Sequence, residues 1–355
     1  MVVRTNLLKS MVMTIIDDTV LSTLAPVFSV EAASVIAARF GVAGAASRLS
    51  SERDSNFLIS AADGGEYLLK ISNPAENPAV TNFQTEALLW LGHADPALPT
   101  PAPLRSLNGD YELHVAQPGG PDQIARLLTY LPGVQLHQVE VTPQLRRNIG
   151  MTVARLERAL NGFSHPMSGH RIAWDLEHAA ELRNYLSFID DPDRRRIVDR
   201  ALGAYEDHVQ PAITDLRWQV IHNDINRHNL LCGSKKGVEI TGIIDFGDLV
   251  RSPMVNDLAI ACSYHTGADG WEAAAEIASG YNAASPLTPL ERGLLIDLIA
   301  TRLAMTALIT GWRAAIYPEN RDYILRNNRQ TWNGLGYLQS AGRRQMQQMF
   351  DEAVA

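Results

Sequence analysis

The stretch over residues 219–257, QVIHNDINRHNLLCGSKKGVEITGIIDFGDLVRSPMVND, gathers most of the chain's chemically committed polar residues into two short blocks. The first is His222-Asn223-Asp224-Ile225-Asn226-Arg227-His228-Asn229, between the apolar pairs Val220-Ile221 and Leu230-Leu231. The second is Ile243-Ile244-Asp245-Phe246-Gly247-Asp248, with Asp245 sixteen residues after Asn229. Both blocks follow short apolar runs that read as buried strands. An Asp just after one strand, an Asn five residues on and an Asp after the next strand can converge on one metal ion loaded with phosphates. Such a set suits phosphoryl transfer from a nucleotide, which needs charge neutralisation and an aligned acceptor but little covalent chemistry from the protein.

Outward from this stretch, the 355-residue chain is 46% hydrophobic and 20% charged, enough for two lobes with substantial cores. The net charge of -8 and the scattered basic residues argue against a nucleic-acid surface and favour cationic ligands. The two cysteines, Cys232 and Cys262, sit among apolar or small residues outside any metal-ligand spacing, which fits a reducing cytoplasm. The apolar residues 7–16 run straight into Asp17-Asp18 with no small-residue cleavage pattern. The apolar run 294–312 contains Asp297 and Arg302 and reads as a buried helix, not a membrane span. The expectation is a cytoplasmic protein with neither a nucleic-acid nor a membrane partner.

Residues 1–26 read as an extension with a short helix over 3–24. A helical repeat of Val30, Ala33, Ile36, Ala37 and Phe40 ends at Gly41. Residues 46–59 and 66–72 then read as two strands joined by the turn Asp63-Gly64-Gly65. In the second strand Tyr67, Leu69 and Ile71 share one face, and Leu68 and Lys70 the other. Asn77-Pro78 opens a helix with the stripe Val80, Phe83, Ala87, Leu88 and Leu91, and Glu86 is placed in it at mid-length. Strands over 111–116 and 124–131 lead to Tyr130-Leu131-Pro132-Gly133, the expected lobe boundary. The domains are therefore an extension (1–26), an N-lobe (27–131) and a C-lobe (132–355). Helices are expected from Thr142-Pro143 onward, then over 176–189, 192–210, 271–281, 289–314 and 322–348. The fold class is α+β: two lobes, an antiparallel sheet with helices followed by a mainly helical half.

Each need of phosphoryl transfer finds a residue. Asp224 orients and deprotonates the acceptor hydroxyl, while Asn229 and Asp245 hold Mg2+, which takes few protein oxygens plus waters and phosphates. Lys70 holds the phosphates, steered by an ion pair with Glu86. Backbone groups of Tyr130 and Leu131 meet the base.

The pattern His222-x-Asp224-x-x-x-x-Asn229, followed by Ile244-Asp245-Phe246-Gly247-Asp248, resembles the aminoglycoside phosphotransferase and choline kinase group of small-molecule kinases, which implies a two-lobed protein-kinase-like fold. Within it the wording is most similar to hydroxylysine kinases and to phosphotransferase domains fused to class III aminotransferases. The segment Ser51-Glu52-Arg53-Asp54-Ser55-Asn56-Phe57 resembles the nucleotide loop of that subgroup, and the likeness runs over roughly residues 28–340. The resemblance implies Asp224 as catalytic base, His222 as a structural member of the catalytic loop, Asn229 and Asp245 as metal ligands, and Asp257 as a support for the loop. Asn223 stands where the group usually has Gly, so a positive φ there falls on a residue that tolerates it. Arg227-His228 replaces a frequent Pro-Gly, which counts against an antibiotic substrate. No GxGxxG or GxxxxGK[ST] motif is present, so the loop around 50–56 must cover the phosphates.

The expected activity is Mg2+-dependent transfer from ATP or GTP to a hydroxyl of a small, amine-bearing metabolite, with a hydroxylysine-like amino acid as leading candidate. The resembled hydroxylysine kinases favour GTP and the wider group ATP. The rivals are an aminoglycoside, choline or homoserine kinase and a silent nucleotide-binding scaffold. A metal-dependent hydrolase is disfavoured by the absence of HxH or HxxxE clusters. The expected partners are nucleotide and acceptor, with a homodimer left open. Trp174, Tyr264, Trp312 and Tyr317 either line the acceptor pocket or pack between helices, and packing is the stronger bet.

Overall fold

The computed structural model describes residues 23–51, 53–116, 122–267, 270–326 and 328–355. The helix expected over 3–24 lies outside them but for its last two residues. From residue 23 the chain lies along the first sheet: Thr23 offers its carbonyl to Asn73 Nδ2 at 3.1 Å, and Ser55 Oγ donates to the Pro26 carbonyl.

Ser29 caps the first helix, α1 (Val30–Ala38), its Oγ accepting from the Ala32 N–H at 3.1 Å. Five strands follow: β1 (Gly44–Leu49), β2 (Ser55–Ala61), β3 (Glu66–Ile71), β4 (Leu113–Val115) and β5 (Gln123–Thr129). They pair antiparallel in the order β1-β2-β3-β5-β4. The single strand expected over 46–59 is in fact β1, a loop and β2. The polar residues after Leu49 break the apolar alternation, and Asp54 bonds outward to the Asn73 N–H at 2.9 Å. Alternation gives the sheet two faces. Phe57, Ile59, Leu69, Ile71, Ala125 and Leu127 pack with Ala33, Ile36 and Ala37 of α1. On the other face Asn56, Lys70 and Arg126 stand side by side in register across β2, β3 and β5.

Helix α2 (Pro78–Ala94) starts as its sequence asks, with Asn77 Oδ1 accepting from the Ala79 N–H and proline in the first turn. Its apolar stripe joins the larger core: Phe83, Ala87, Leu88 and Leu91 cluster with the helices that follow residue 142. Those are α3 (Pro143–Leu160), α4 (Pro192–Ala204), α5 (Val255–Ser263), α6 (Glu272–Ala284), α7 (Pro289–Ile316), α8 (Asn328–Ala341) and α9 (Arg343–Val354). α7 is long and apolar enough to cross a membrane, yet 94% of its most apolar window is buried within the protein, as expected of a core helix. Thr288 and Glu291 close a reciprocal capping box at its start.

Three helical expectations need correction. Residues 176–189 form a run of 3-10 turns (Leu176–Phe188), whose buried residues Leu176, Ala179, Leu182 and Tyr185 recur every three residues. That period matches three residues per turn, not 3.6. The helix expected over 192–210 leaves α geometry after Ala204, passing through a π turn (Tyr205–Val209) into a 3-10 turn (Gln210–Asp215). Pro211 has no N–H to continue the α ladder. The helix expected over 322–348 is a short helical turn (Arg321–Ile324) followed by α8 and α9, with a break between the last two at Gly342, whose φ is 82°.

Two small sheets interrupt the helical half. β7 (Trp218–Ile221) pairs with β10 (Val250–Pro253), and β8 (Leu230–Cys232) lies between β6 (Val134–Gln135) and β9 (Ile240–Ile243).

Candidate active site

Strand pairing assembles the site. In the β8–β9 hairpin Leu230 faces Ile243, and the Ile244 N–H donates to the Asn229 carbonyl at 2.9 Å. Asn229 and Asp245 therefore leave the hairpin side by side. In the β7–β10 ladder Ile221 faces Val250, so the chain leaving β7 through His222 and Asp224 runs beside Asp248, just before β10. Both polar blocks of the sequence thus meet at one end of two short sheets.

His222 is wholly buried, and its ring bonds to the backbone of the loop and of the neighbouring hairpin. The Asp224 N–H donates to its Nδ1 at 3.2 Å, so Nε2 carries the proton and donates to the Ile244 carbonyl at 3.1 Å. Burial pushes its pKa below the ordinary histidine value. These bonds suit the structural place in the catalytic loop that the resemblance implies for it. Asn223 has a φ of 64°, the left-handed conformation anticipated for that position. Asp257 fixes both residues: Oδ2 accepts from the His222 N–H at 2.8 Å and Oδ1 from the Asn223 N–H at 2.6 Å.

Asp224 Oδ2 accepts from Asn226 Nδ2 at 2.9 Å and Asn229 Nδ2 at 2.8 Å. Its Oδ1 lies 3.5 Å from the guanidinium of Arg302, a buried residue of α7. Burial first, then the nearby Asp248 charge, raise its pKa to about 7, with Arg302 opposing. A carboxylate poised there suits a general base at neutral pH. Arg302 also donates to the Trp174 carbonyl at 2.7 Å, lies over the Trp174 ring and bonds to Tyr264. Trp174 and Tyr264 thus stand close to Asp224, whereas Trp312 packs on Tyr185 in the core.

Asn229 turns its amide nitrogen to Asp224, leaving its Oδ1 without a hydrogen bond among the described residues. Asp245 has a φ of 62°, and its side chain is 48% exposed. The Lys70 ammonium, 3.2 Å away, holds its carboxyl well below the usual range, burial opposing and Arg53 assisting. One carboxylate oxygen and one amide oxygen, both open to the cleft, fit a hard divalent cation that keeps waters and phosphate oxygens.

Lys70 reaches this point from the sheet, but Glu86 does not guide it. Glu86 is on the exposed face of α2, two residues and about 200° around the helix from Gln84. Lys70 instead pairs with Asp54 at 3.1 Å, and Asp245 and Asp54 outweigh burial to raise its pKa. Gln84 takes the inward position: its Oε1 accepts from buried Arg126 at 2.7 Å and its Nε2 donates to the Gly247 carbonyl at 3.2 Å. This bridge ties α2 and the sheet to the turn carrying Asp245. Position 84 falls on the stripe set by 80, 83, 87 and 91, a signal available in the sequence. Asp54, Arg53 and Arg126 carried no comparable signal, since their partners lie far along the chain.

Tyr130 and Leu131 follow β5 at the edge of the sheet. The Tyr130 N–H is taken by the Glu66 carbonyl at 3.1 Å, which removes it from the groups expected to meet a base. The Tyr130 carbonyl and the Leu131 N–H have no backbone partner among the described residues.

Comparison with known proteins places this geometry. Residues 45–292 match the phosphotransferase enzyme family. The chain belongs to that family. This phosphotransferase, a small-molecule kinase, is 29% identical over 355 residues to hydroxylysine kinase of Bos taurus, covering 93% of this chain and 94% of that protein. Its fold is shared with the microcompartment-associated aminopropanol kinase (TM-score 0.69, 16% identity, covering 88% of this chain and 97% of that one). It is shared too with an amicoumacin kinase solved with AMP-PNP and Ca2+ (TM-score 0.59, 16% identity, covering 79% and 87%). The phosphotransferase is thus a two-lobed kinase-like fold, with an antiparallel sheet in one lobe and helices in the other.

Proposed function

We propose that this phosphotransferase moves the terminal phosphoryl group of ATP or GTP to a hydroxyl of a small, amine-bearing metabolite, a hydroxylysine-like amino acid being the leading acceptor. The observation that carries the reading is that Asp224, held by the Asn229 amide nitrogen, lies within the electrostatic reach of Asp245, which Lys70 meets from the sheet. The acceptor oxygen attacks the terminal phosphorus, the bond to the nucleoside diphosphate breaks, and the hydroxyl proton passes to Asp224. Mg2+, held by Asn229 and Asp245, would supply charge neutralisation on the phosphates. Lys70 would bind phosphate oxygens, and the Leu131 N–H and Tyr130 carbonyl would meet the base. The likeness to hydroxylysine kinase over nearly the whole chain supports the acceptor. The free, buried Cys232 and Cys262 support a cytoplasmic location.

The test is nucleoside diphosphate release from Mg-ATP and Mg-GTP with hydroxylysine, lysine, 1-amino-2-propanol, choline, homoserine and an aminoglycoside. Release with hydroxylysine and none with lysine is expected. A different acceptor would move the substrate within the family, and binding of nucleotide with no release across the panel would favour a silent scaffold.

A further inference from the structure

The loop between β1 and β2 ends in Arg53 and Asp54, and its backbone there is held firmly. Asn73 Nδ2 donates to the Arg53 carbonyl at 2.8 Å, the Asn73 N–H donates to Asp54 Oδ1, and Asp54 Oδ2 pairs with Lys70. From this anchored point the Arg53 side chain crosses to the opposite side of the cleft. There its Nη2 lies 2.6 Å from Asp248 Oδ1, two segments 195 positions apart in sequence. Asp248 is 5% exposed and Arg53 27%. A guanidinium offers five N–H groups, and Asp248 is the one side chain hydrogen-bonded to this one among the described residues. Its other N–H groups carry no hydrogen bond among the described residues, and part of the side chain is open to solvent.

Gly247 lies beside the Asp248-bonded end of that guanidinium. A side chain there would begin 3.8 Å from Arg53 Nη2 and 3.8 Å from Lys70 Nζ, and 3.2 Å from Asp245 Oδ1. Two cations therefore converge over one residue that has no side chain to separate them, beside the carboxylate that fits the metal. Three carboxylates, Asp54, Asp245 and Asp248, share these two cations. A triphosphate entering so acidic a place needs donors that do not have to abandon a buried partner. Lys70 has three donors divided between two carboxylates, whereas Arg53 can keep Asp248 and still present a fork to phosphate oxygens.

We propose that Arg53 is a second phosphate-binding cation of this site: Asp248 orients it, and its free N–H edge meets the terminal phosphoryl group during transfer. The proposal rests on reading the site as one of phosphoryl transfer. The rival is a plain latch, in which Arg53 only fastens the loop to the turn after Asp245. The two differ in how they treat the terminal phosphate.

Calorimetric titration of the full chain with Mg-AMP-PNP and with Mg-ADP separates them, for the wild type, Arg53→Met, Arg53→Lys and Asp248→Asn, alongside kcat with the acceptor found in the panel. Arg53→Met should weaken AMP-PNP binding about 10- to 100-fold while ADP changes less than about threefold, as a lost charge-assisted bond to the terminal phosphate requires. Its kcat should fall at least about 100-fold, in the direction of other transition-state arginines. Arg53→Lys should recover part of both losses. Asp248→Asn should lower kcat yet keep the preference for AMP-PNP. Equal weakening for both nucleotides, or no change in either with a lowered unfolding midpoint, would overturn the proposal in favour of the latch. A wild type that binds neither nucleotide would sink the phosphotransfer reading itself; one that binds and turns over with Arg53→Met unaltered sinks this proposal alone.

Discussion

Asp175 shows how single polar residues fix the wall behind the catalytic loop. It caps the 3-10 run by accepting from the Glu177 N–H at 3.1 Å and also accepts from buried Ser252 Oγ at 2.8 Å. Burial, opposed by those bonds, raises its pKa from 3.8 to about 6. The folded state thus holds the proton more tightly than the unfolded one. The stability this confers is complete below pH 3.8 and lost as pH rises through about 6. Asp175→Asn keeps an acceptor oxygen without the charge, so the variant should gain on the wild type between pH 4 and pH 7.5 by about 2 kcal/mol. Urea midpoints at the two pH values check this, and parallel shifts at both would contradict it. Residues of the catalytic loop were easier to read than Asp175, because Asp224, Asn229 and Asp245 carry their meaning in close spacing. Even the φ of Asn223 was foreseeable from a position where Gly is usual. Arg53 and Arg302 act through partners 195 and 78 positions away, and no local spacing announces them, whereas Gln84 falls on the stripe of its own helix.

At the level of elements, α3 and α6 meet backbone to backbone. A Cβ on Gly150 would lie 1.9 Å from the Ile277 carbonyl oxygen, and one on Gly280 2.0 Å from that of Arg147. Neither oxygen belongs to a flexible side chain, so a methyl group must push the helices apart. Gly150→Ala should cost about 3 kcal/mol in an equilibrium unfolding measurement. Gly203→Ala in α4, where nothing lies within 4 Å of the new carbon, should be neutral or slightly stabilising. Equal effects at the two sites would show that helix propensity, not the close approach, governs the first. Strands and capped helices were legible because alternation, Asn77-Pro78 and Thr142-Pro143 are local signals. The 3-10 run was misjudged because its period of three was taken for 3.6, and the 46–59 strand because its polar interruption was passed over.

Over the whole molecule, the site exists only where the two lobes meet. The sheet supplies Lys70 and the loop residues Arg53 and Asp54, while the strand insert of the helical half supplies Asp224, Asn229, Asp245 and Asp248. Gln84, bonded to both Arg126 and Gly247, couples the two. The expected Glu86 pair failed because a helix shows only one face to the cleft, and that face carries Gln84. In the proposed reaction Asp224 takes the acceptor proton while other residues hold the nucleotide. The most direct measurement compares acceptor-dependent nucleoside diphosphate release and Mg-nucleotide affinity in the wild type and Asp224→Asn. The expected result is a loss of transfer of at least about 100-fold with affinity within about threefold. Retained transfer, or an equal loss of transfer and nucleotide binding, would contradict it.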